Sequence, residues 1–204
     1  MLGTSFGPGR TIFVCMAAIF GLLLSPSLAT AQKFDIKSVA EKKISELPRG
    51  LLFWRIENFA TLAQAQAAAG PTALAAEVAG KAWLFTLGPK GGSSPGGSKV
   101  AEIGPVPPIT ASEYLLRINS AGGPPGAKTP VHTHPGSETF YVLTGEISQK
   151  TPSGVSHIAA GQFMVGHGPD TPMQVLNSGT SDLHALVMFI TDATRPFSTK
   201  AKMP

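Results

Sequence analysis

The second half of the chain alternates apolar and polar residues in short segments. Tyr114 to Asn119, Glu138 to Gly145 and His184 to Thr191 follow this alternation, which is typical of strands that show their side chains to two opposite faces. Glycine, proline and serine, which favour turns, separate the segments at regular intervals. Residues 112–192 are therefore predicted to form an all-β domain.

The residues before this domain have a more mixed pattern. Residues 32–50 show a weak helical spacing of apolar positions that ends at Pro48. Residues 51–56 and 81–87 are apolar runs with aromatic and β-branched residues, which indicate two strands.

An Ala-rich stretch, residues 61–80, lies between those two strands. Gly70 and Pro71 divide it, which predicts one helix ending at Gly70 and a second helix starting at Pro71. Residues 32–111 are therefore predicted to be an N-terminal extension with one or two short helices that packs on the β-domain.

Two further segments are predicted to lack regular structure. Residues 88–97 are rich in glycine and serine, which predicts a flexible loop that is either a lid or a tolerated insertion. Residues 193–204 are polar and are predicted to be a loose C-terminal tail.

Residues 1–31 have the pattern of a secretory signal peptide. Arg10 supplies a positive charge, residues 12–24 form an apolar run of 13 residues, and Ala29 and Ala31 make a small-x-small cleavage signal. The run is too short for an ordinary membrane span, and no later segment is long and apolar enough to be one. After cleavage the chain is predicted to be periplasmic or secreted, without a membrane span; the alternative is an uncleaved N-terminal anchor.

Charge and cysteine content narrow the range of partners. The chain has 16 Lys and Arg against 12 Asp and Glu, and loss of Arg10 with the signal leaves 15 against 12, a net charge of +3. This mild balance, without a cluster of Lys or Arg, argues against nucleic acid as a partner. Cys15 is the only cysteine and lies in the signal, so the mature chain is predicted to have no disulfide.

Two histidines and a glutamate form the most specific chemical pattern in the chain. His132 and His134 are two residues apart, so in a strand they point to the same side. A turn over residues 135–137 then allows Glu138 to bring a carboxylate to the same point. Two imidazoles and one carboxylate hold a divalent transition metal with open positions, and iron, manganese, nickel and zinc all fit.

The spacing G-x5-H-x-H-x3-E-x6-G, met by Gly126, His132, His134, Glu138 and Gly145, resembles the first motif of the cupin superfamily. The resemblance implies a single small antiparallel β-barrel, also described as a double-stranded β-helix or jelly roll, with the metal inside it.

The second cupin motif is matched less well. Asn177 stands in the place of the family's asparagine, but the third histidine of the family falls on Met173, a soft thioether ligand. His167, just before the predicted turn, is the candidate for a further metal ligand. His184, on the last strand, is a candidate for the pocket. For both, the alternative is a polar residue at the barrel mouth or a core histidine.

The remaining pocket candidates follow from their strand positions. Phe140 shares the face of Glu138 and is predicted to keep the pocket dry, and Met173 is predicted to be a second pocket residue. Arg117 precedes the motif and either faces a substrate anion or makes a surface pair with Glu113.

Two functions follow from the resemblance. The first is an exported, metal-dependent oxidoreductase of dioxygenase type that acts on a small organic molecule. The second is a non-catalytic module that binds a small molecule with a degenerate metal site. A structural or storage role is a third hypothesis, but the short length of the chain argues against it. A homodimer is a further possibility, because an exposed edge strand can pair with a second copy.

Overall fold

A computed structural model describes residues 1–4 and 33–204 of the chain. Apart from its first four residues, the predicted signal peptide lies outside the described residues, and so does its cleavage site after Ala31. Export of the chain therefore stays a prediction. Among the residues that are described, no helix is long and apolar enough to cross a bilayer.

The described residues form fourteen strands and one short helix. In chain order the elements are β1 (Asp35–Ile44), β2 (Phe53–Phe59), α1 (Leu62–Ala67), β3 (Ala73–Val78), β4 (Lys81–Gly88), β5 (Ser98–Ile103), β6 (Tyr114–Gly123), β7 (His132–Thr133), β8 (Gly136–Thr144), β9 (Glu146–Thr151), β10 (Gly154–Ala159), β11 (Phe163–Val165), β12 (Gln174–Asn177), β13 (Leu183–Asp192) and β14 (Thr199–Lys200).

The strands pair into four antiparallel sheets. A five-stranded sheet has the order β1-β6-β13-β8-β11, and a four-stranded sheet has the order β3-β4-β2-β5. Strands β10, β9 and β12 form a third sheet, and β14 pairs with β7. The prediction of an antiparallel all-β fold with a short helix in its N-terminal part is confirmed.

Both faces of the five-stranded sheet are covered. On one face, Ile118 and Met188 pack with Trp54 and Phe85 of the four-stranded sheet in one large core. The other face, which carries Val187, packs towards β9 and β12 in a second core. Alternation along β6, β13 and β8 thus divides each strand between two apolar environments.

The segment with weak helical spacing is a strand rather than a helix. Strand β1 pairs along its whole length with β6, and the register shifts between Ser38 and Ala40. That bulge changes which face the following residues show, so Ile36 lines one side while Val39 and Ala40 pack on the other. A strand with such a shift places its apolar residues at helix-like intervals, which explains the wrong prediction.

The Ala-rich stretch contains one helix and one strand instead of two helices. The first helix, α1, is confirmed, and the Thr61 side chain caps it by accepting a hydrogen bond from the Gln64 amide. The predicted second helix is strand β3, whose residues pair with β4 from Ala73 to Val78. Pairing with β4 and burial of Leu74 override the helical preference of alanine.

The loop between β4 and β5, predicted to be flexible, is held by buried polar groups. The Ser94 amide and hydroxyl both donate to the carboxylate of Glu57 on β2, at 2.8 and 2.7 Å. Arg55 donates to the Gly91 carbonyl at 3.0 Å and also pairs with Glu57. The acceptor that holds the loop is nearly forty residues away in sequence, so local composition does not reveal it.

The C-terminal residues, predicted to be a loose tail, form an ordered edge. Lys200 pairs with His132 and Thr199 with Thr133, and the Ala201 amide donates to the Val131 carbonyl at 3.1 Å. The tail crosses beside the histidine motif because β7 offers unpaired backbone groups that β14 satisfies.

Candidate functional site

A cavity of about 760 Å³ lies on the inner face of the five-stranded sheet. β6, β8 and β13 supply one wall, and β12, the segment before β7 and the C-terminal tail supply the others. Most of the lining is apolar, and it includes Phe34, Phe140, Val175, Val187, Phe189 and Phe197. His132, His134 and Glu138 contribute to the same lining, so the three predicted ligand residues meet at one cavity.

The two imidazoles are both oriented by backbone carbonyls. Nδ1 of His132 lies 2.8 Å from the Pro130 carbonyl, and Nδ1 of His134 lies 2.6 Å from the Phe197 carbonyl. A carbonyl oxygen only accepts hydrogen bonds, so each Nδ1 is the donor and Nε2 remains available. The ring centroids are 4.9 Å apart and the ring planes cross at 86°.

His134 is a neutral base at physiological pH. Its pKa is lowered to about 4, chiefly because burial disfavours the imidazolium, although the hydrogen bond to Phe197 acts in the opposite direction. The ring packs edge to face against Phe189, with centroids 5.0 Å apart, and lies 4.7 Å from the ring of Phe197. His134 therefore presents an unprotonated Nε2 in apolar surroundings.

Glu138 is buried at the inner end of the site. Burial raises the pKa of its carboxyl group to about 8, and a hydrogen bond from Gln149 offsets part of that rise. Gly166 lies so close that an added Cβ would come within 2.8 Å of the Glu138 side chain. The backbone of the neighbouring loop therefore covers the Glu138 side chain. Because its pKa is raised, the carboxyl group is mainly protonated at neutral pH.

Gln149 was missed by reasoning from the sequence. Its Nε2 donates to Oε1 of Glu138 and lies 3.4 Å from Sδ of Met173. Gln149 lies two residues from Ile147 and shares its inner face of β9. A polar residue at such an inward position is the sequence signal that could have identified it.

Met173 lies where the resemblance places the third histidine. It is 1% exposed, and its backbone makes two hydrogen bonds with His132, at 2.9 and 2.8 Å. The thioether is in contact with Gln149 instead of a nitrogen ligand. Met173 was predicted to line the pocket, but it lies outside the cavity lining, where its sulfur contacts Gln149.

The other predicted pocket residues are distributed differently. Phe140 lines the cavity. Arg117 pairs with Glu41 at 2.6 Å and lies over the ring of Phe197 at 4.1 Å, so it contacts the tail and is not part of the cavity lining. The alternative pair with Glu113 does not form, because Glu113 pairs with Lys43.

The other two candidate histidines, His184 and His167, do not line the cavity. His184 bonds to the Ser120 hydroxyl at 2.8 Å and shares its strand face with Leu186, on the side of the four-stranded sheet. The register of β13 against β8 shifts between His184 and Ala185. His167 lies in the loop between β11 and β12, outside the lining of the cavity.

The donor set matches a resident metal only in part. The two Nε2 atoms suit a divalent transition metal. In protein metal sites the other ring nitrogen of a ligating histidine commonly donates a hydrogen bond to a backbone carbonyl, as each Nδ1 does here. The Glu138 carboxyl group, however, is engaged by Gln149, and a thioether stands where a third imidazole would be. Within residues 33–204, no three His, Cys, Asp or Glu side chains lie close enough to hold one ion.

The family comparison agrees with the position of this cavity. Residues 123–189 match the family model described as a cupin domain. The chain contains a cupin domain. This domain includes β7, β8, β9 and β12 and therefore all three motif residues, His132, His134 and Glu138. No curated protein matches the chain.

Several solved structures are similar to part of the chain. A putative sugar phosphate isomerase from Acidithiobacillus ferrooxidans is 27% identical, with 37% of this chain and 49% of that chain covered and a TM-score of 0.33. A Klebsiella pneumoniae protein with a double-stranded β-helix domain is 24% identical over 43% of this chain and 75% of its own, with a TM-score of 0.37.

A third similar structure is a cupin-like protein from Thermotoga maritima, which is 16% identical over 43% of this chain and 65% of its own, with a TM-score of 0.39. The chain spans about half the length of the sugar phosphate isomerase. Each of these likenesses covers less than half of this chain.

Proposed function

We propose that this cupin domain binds a small, largely apolar organic molecule in the cavity beside His132, His134 and Glu138. The observation that carries the proposal is the cavity itself, which has a volume of about 760 Å³ and a mainly apolar lining. Pockets of this size and composition, with a few convergent polar groups, are typical of small-molecule sites. We further propose that the protein performs this function after export, in the periplasm or outside the cell.

The polar end of the cavity offers both a donor and an acceptor. Neutral His134 accepts a hydrogen bond through Nε2, because its Nδ1 proton is held by the Phe197 carbonyl. Protonated Glu138 donates one, because Gln149 occupies only the accepting side of its carboxyl group. A hydroxyl or carbonyl group on the ligand is complementary to this pair.

A cavity-filling variant tests binding directly. Val187→Phe places a larger side chain in the cavity wall, whereas Val155→Phe makes the same change at an exposed position of β10. Wild type and Val155→Phe are expected to gain melting temperature from the same members of a panel of medium-chain and aromatic alcohols, ketones and acids. The gain should be lost in Val187→Phe. An equal gain in both variants, or none in any protein, rejects the proposal.

The second candidate is a metal-dependent oxidoreductase of dioxygenase type. It is supported by the two carbonyl-oriented imidazoles, whose Nε2 atoms are free to bind iron, manganese, nickel or zinc. It requires the Glu138 carboxyl group to lose its proton and to bind the metal through the oxygen that Gln149 does not contact. A bound metal of this kind supplies Lewis-acid, water-activating or dioxygen-binding chemistry.

Metal analysis separates the two candidates. Protein purified without chelator is expected to hold one metal per chain if the second candidate is correct, and His132→Ala should lose it. Met173→His restores the third imidazole and is the matched gain-of-function variant. Metal retained by Met173→His but not by wild type would support the binding module and reject the metalloenzyme.

A further inference from the structure

Three lysines surround the entrance of the cavity. Lys33, Lys128 and Lys200 all line it, and all three are exposed to solvent. They come from distant parts of the sequence. Lys33 lies just before β1, Lys128 lies before β7, and Lys200 is in β14. We name these three residues the lysine rim.

The backbone holds the lysine rim together. Lys33 forms a parallel bridge with Lys128, and Lys200 pairs with His132 on β7, four residues further along the same segment. Lys128 in turn pairs with Leu176 of β12, in the wall of the cavity. Three ammonium groups are therefore carried by one continuous patch of paired backbone.

The lysine rim lacks the carboxylate partners that other cations nearby have. Among residues 33–204, Arg117 pairs with Glu41 and Arg195 with Asp170, but no carboxylate lies within 4.0 Å of a rim ammonium group. Among the described residues, the one acid that lines the cavity is Glu138, at its inner end and bonded to Gln149. Like charges gathered without a counter-charge favour the arrival of an anion.

The apolar interior decides where that anion sits. Phe140, Val187 and Phe189 offer no partner for a charge, and burial of an unpaired charge is strongly unfavourable. An anionic group is therefore stable at the lysine rim, while the apolar body of the same molecule removes the inner surface from water.

We infer that the ligand of the cavity is a small amphiphilic anion, whose apolar body fills the interior and whose charged head lies at the lysine rim. The inference rests on the proposed binding function and adds the chemical class of the ligand. A carboxylate, a sulfonate and a phosphate monoester share this chemistry.

Matched probes test the inference. Octanoate and 1-octanol have the same apolar chain and differ in charge, and octyl phosphate separates a phosphate head from a carboxylate head. Wild type is expected to bind octanoate about tenfold more tightly than 1-octanol in calorimetric titrations. Added salt should weaken octanoate binding and leave 1-octanol binding unchanged.

Two triple variants identify the source of the preference. K33Q/K128Q/K200Q is expected to lose the preference for octanoate while it keeps its affinity for 1-octanol. K81Q/K90Q/K150Q removes the same charge from exposed lysines elsewhere and should keep the preference. Equal binding of both probes by wild type, or equal loss in both triple variants, overturns the inference.

The cavity-filling variant distinguishes the two proposals. If Val187→Phe weakens both probes but the lysine variants change nothing, the amphiphilic-anion inference fails and the binding function stands. If Val187→Phe leaves both affinities unchanged, or neither probe binds wild type, both proposals fail.

Discussion

Two buried glutamates show how the four-stranded sheet differs from the part of the molecule that holds the cavity. Glu57, in the four-stranded sheet, is 0% exposed and accepts hydrogen bonds from Ser94 and Arg55. Glu138, beside the cavity, is 2% exposed and accepts one from Gln149. Burial raises the pKa of both carboxyl groups, but the bonds to Glu57 outweigh it and lower its pKa, whereas Glu138 rises to about 8.

The difference shows how the same residue serves two purposes. A carboxylate with several donors and a neighbouring guanidinium is satisfied, so Glu57 fixes the loop between β4 and β5. A carboxyl group with one neutral partner is under-satisfied, and such groups cluster at sites that bind ligands or metals. Burial alone does not distinguish the two glutamates, whereas their partners do.

The largest expected effect is from Glu57→Gln. The change removes the charge that three donors share and leaves Arg55 without its ion pair, so the free energy of unfolding should fall by about 3 kcal/mol. Urea unfolding at neutral pH measures this loss. Glu77→Gln, at an exposed position of β3, is the control and should change stability by less than about 0.5 kcal/mol.

Glu138→Gln should change how the free energy of unfolding of the metal-free protein depends on pH. The unfolded chain releases this proton near pH 4.5 and the folded chain near pH 8, so the contribution to stability is fully present below about pH 4.5 and is lost as pH rises to about 8. The variant lacks that loss and should exceed wild type by a few kcal/mol above pH 8. Equal stabilities throughout the pH range would contradict the raised pKa.

Phe197→Ala should have a moderate effect that is confined to the cavity half. The half-buried ring contacts His134, Phe189 and the guanidinium of Arg117, so its removal should cost about 1–2 kcal/mol of unfolding free energy. Thermal unfolding measures this cost, and Phe163→Ala at an exposed site is the matched control. A similar cost in both variants would mean that the tail does not support the cavity.

The smallest effect is expected from Asp170→Asn. Asp170 makes two hydrogen bonds with Arg195 at the surface, which lower the pKa of Asp170, but water screens the pair. The free energy of unfolding should fall by less than about 1 kcal/mol in chemical denaturation. A loss as large as that of Glu57→Gln would show that exposure does not separate these carboxylates.

The residue pattern was enough to predict the β character of residues 112–192 and to place His132, His134 and Glu138 at one point, where they line one cavity. Both follow from the period of two along a strand, which relates nearby residues and is therefore visible in the sequence. The inward position of Phe140 follows for the same reason.

The partners of these groups depend on tertiary contacts that the residue pattern does not reveal. Gln149 reaches Glu138 from another strand, β14 closes the site beside His132, and a bulge turns a helix-like spacing into strand β1. Each depends on contacts between segments far apart in the chain, where pairing and burial outweigh local preference. The state of the Glu138 carboxyl group follows from such contacts, because burial and donor count set its pKa.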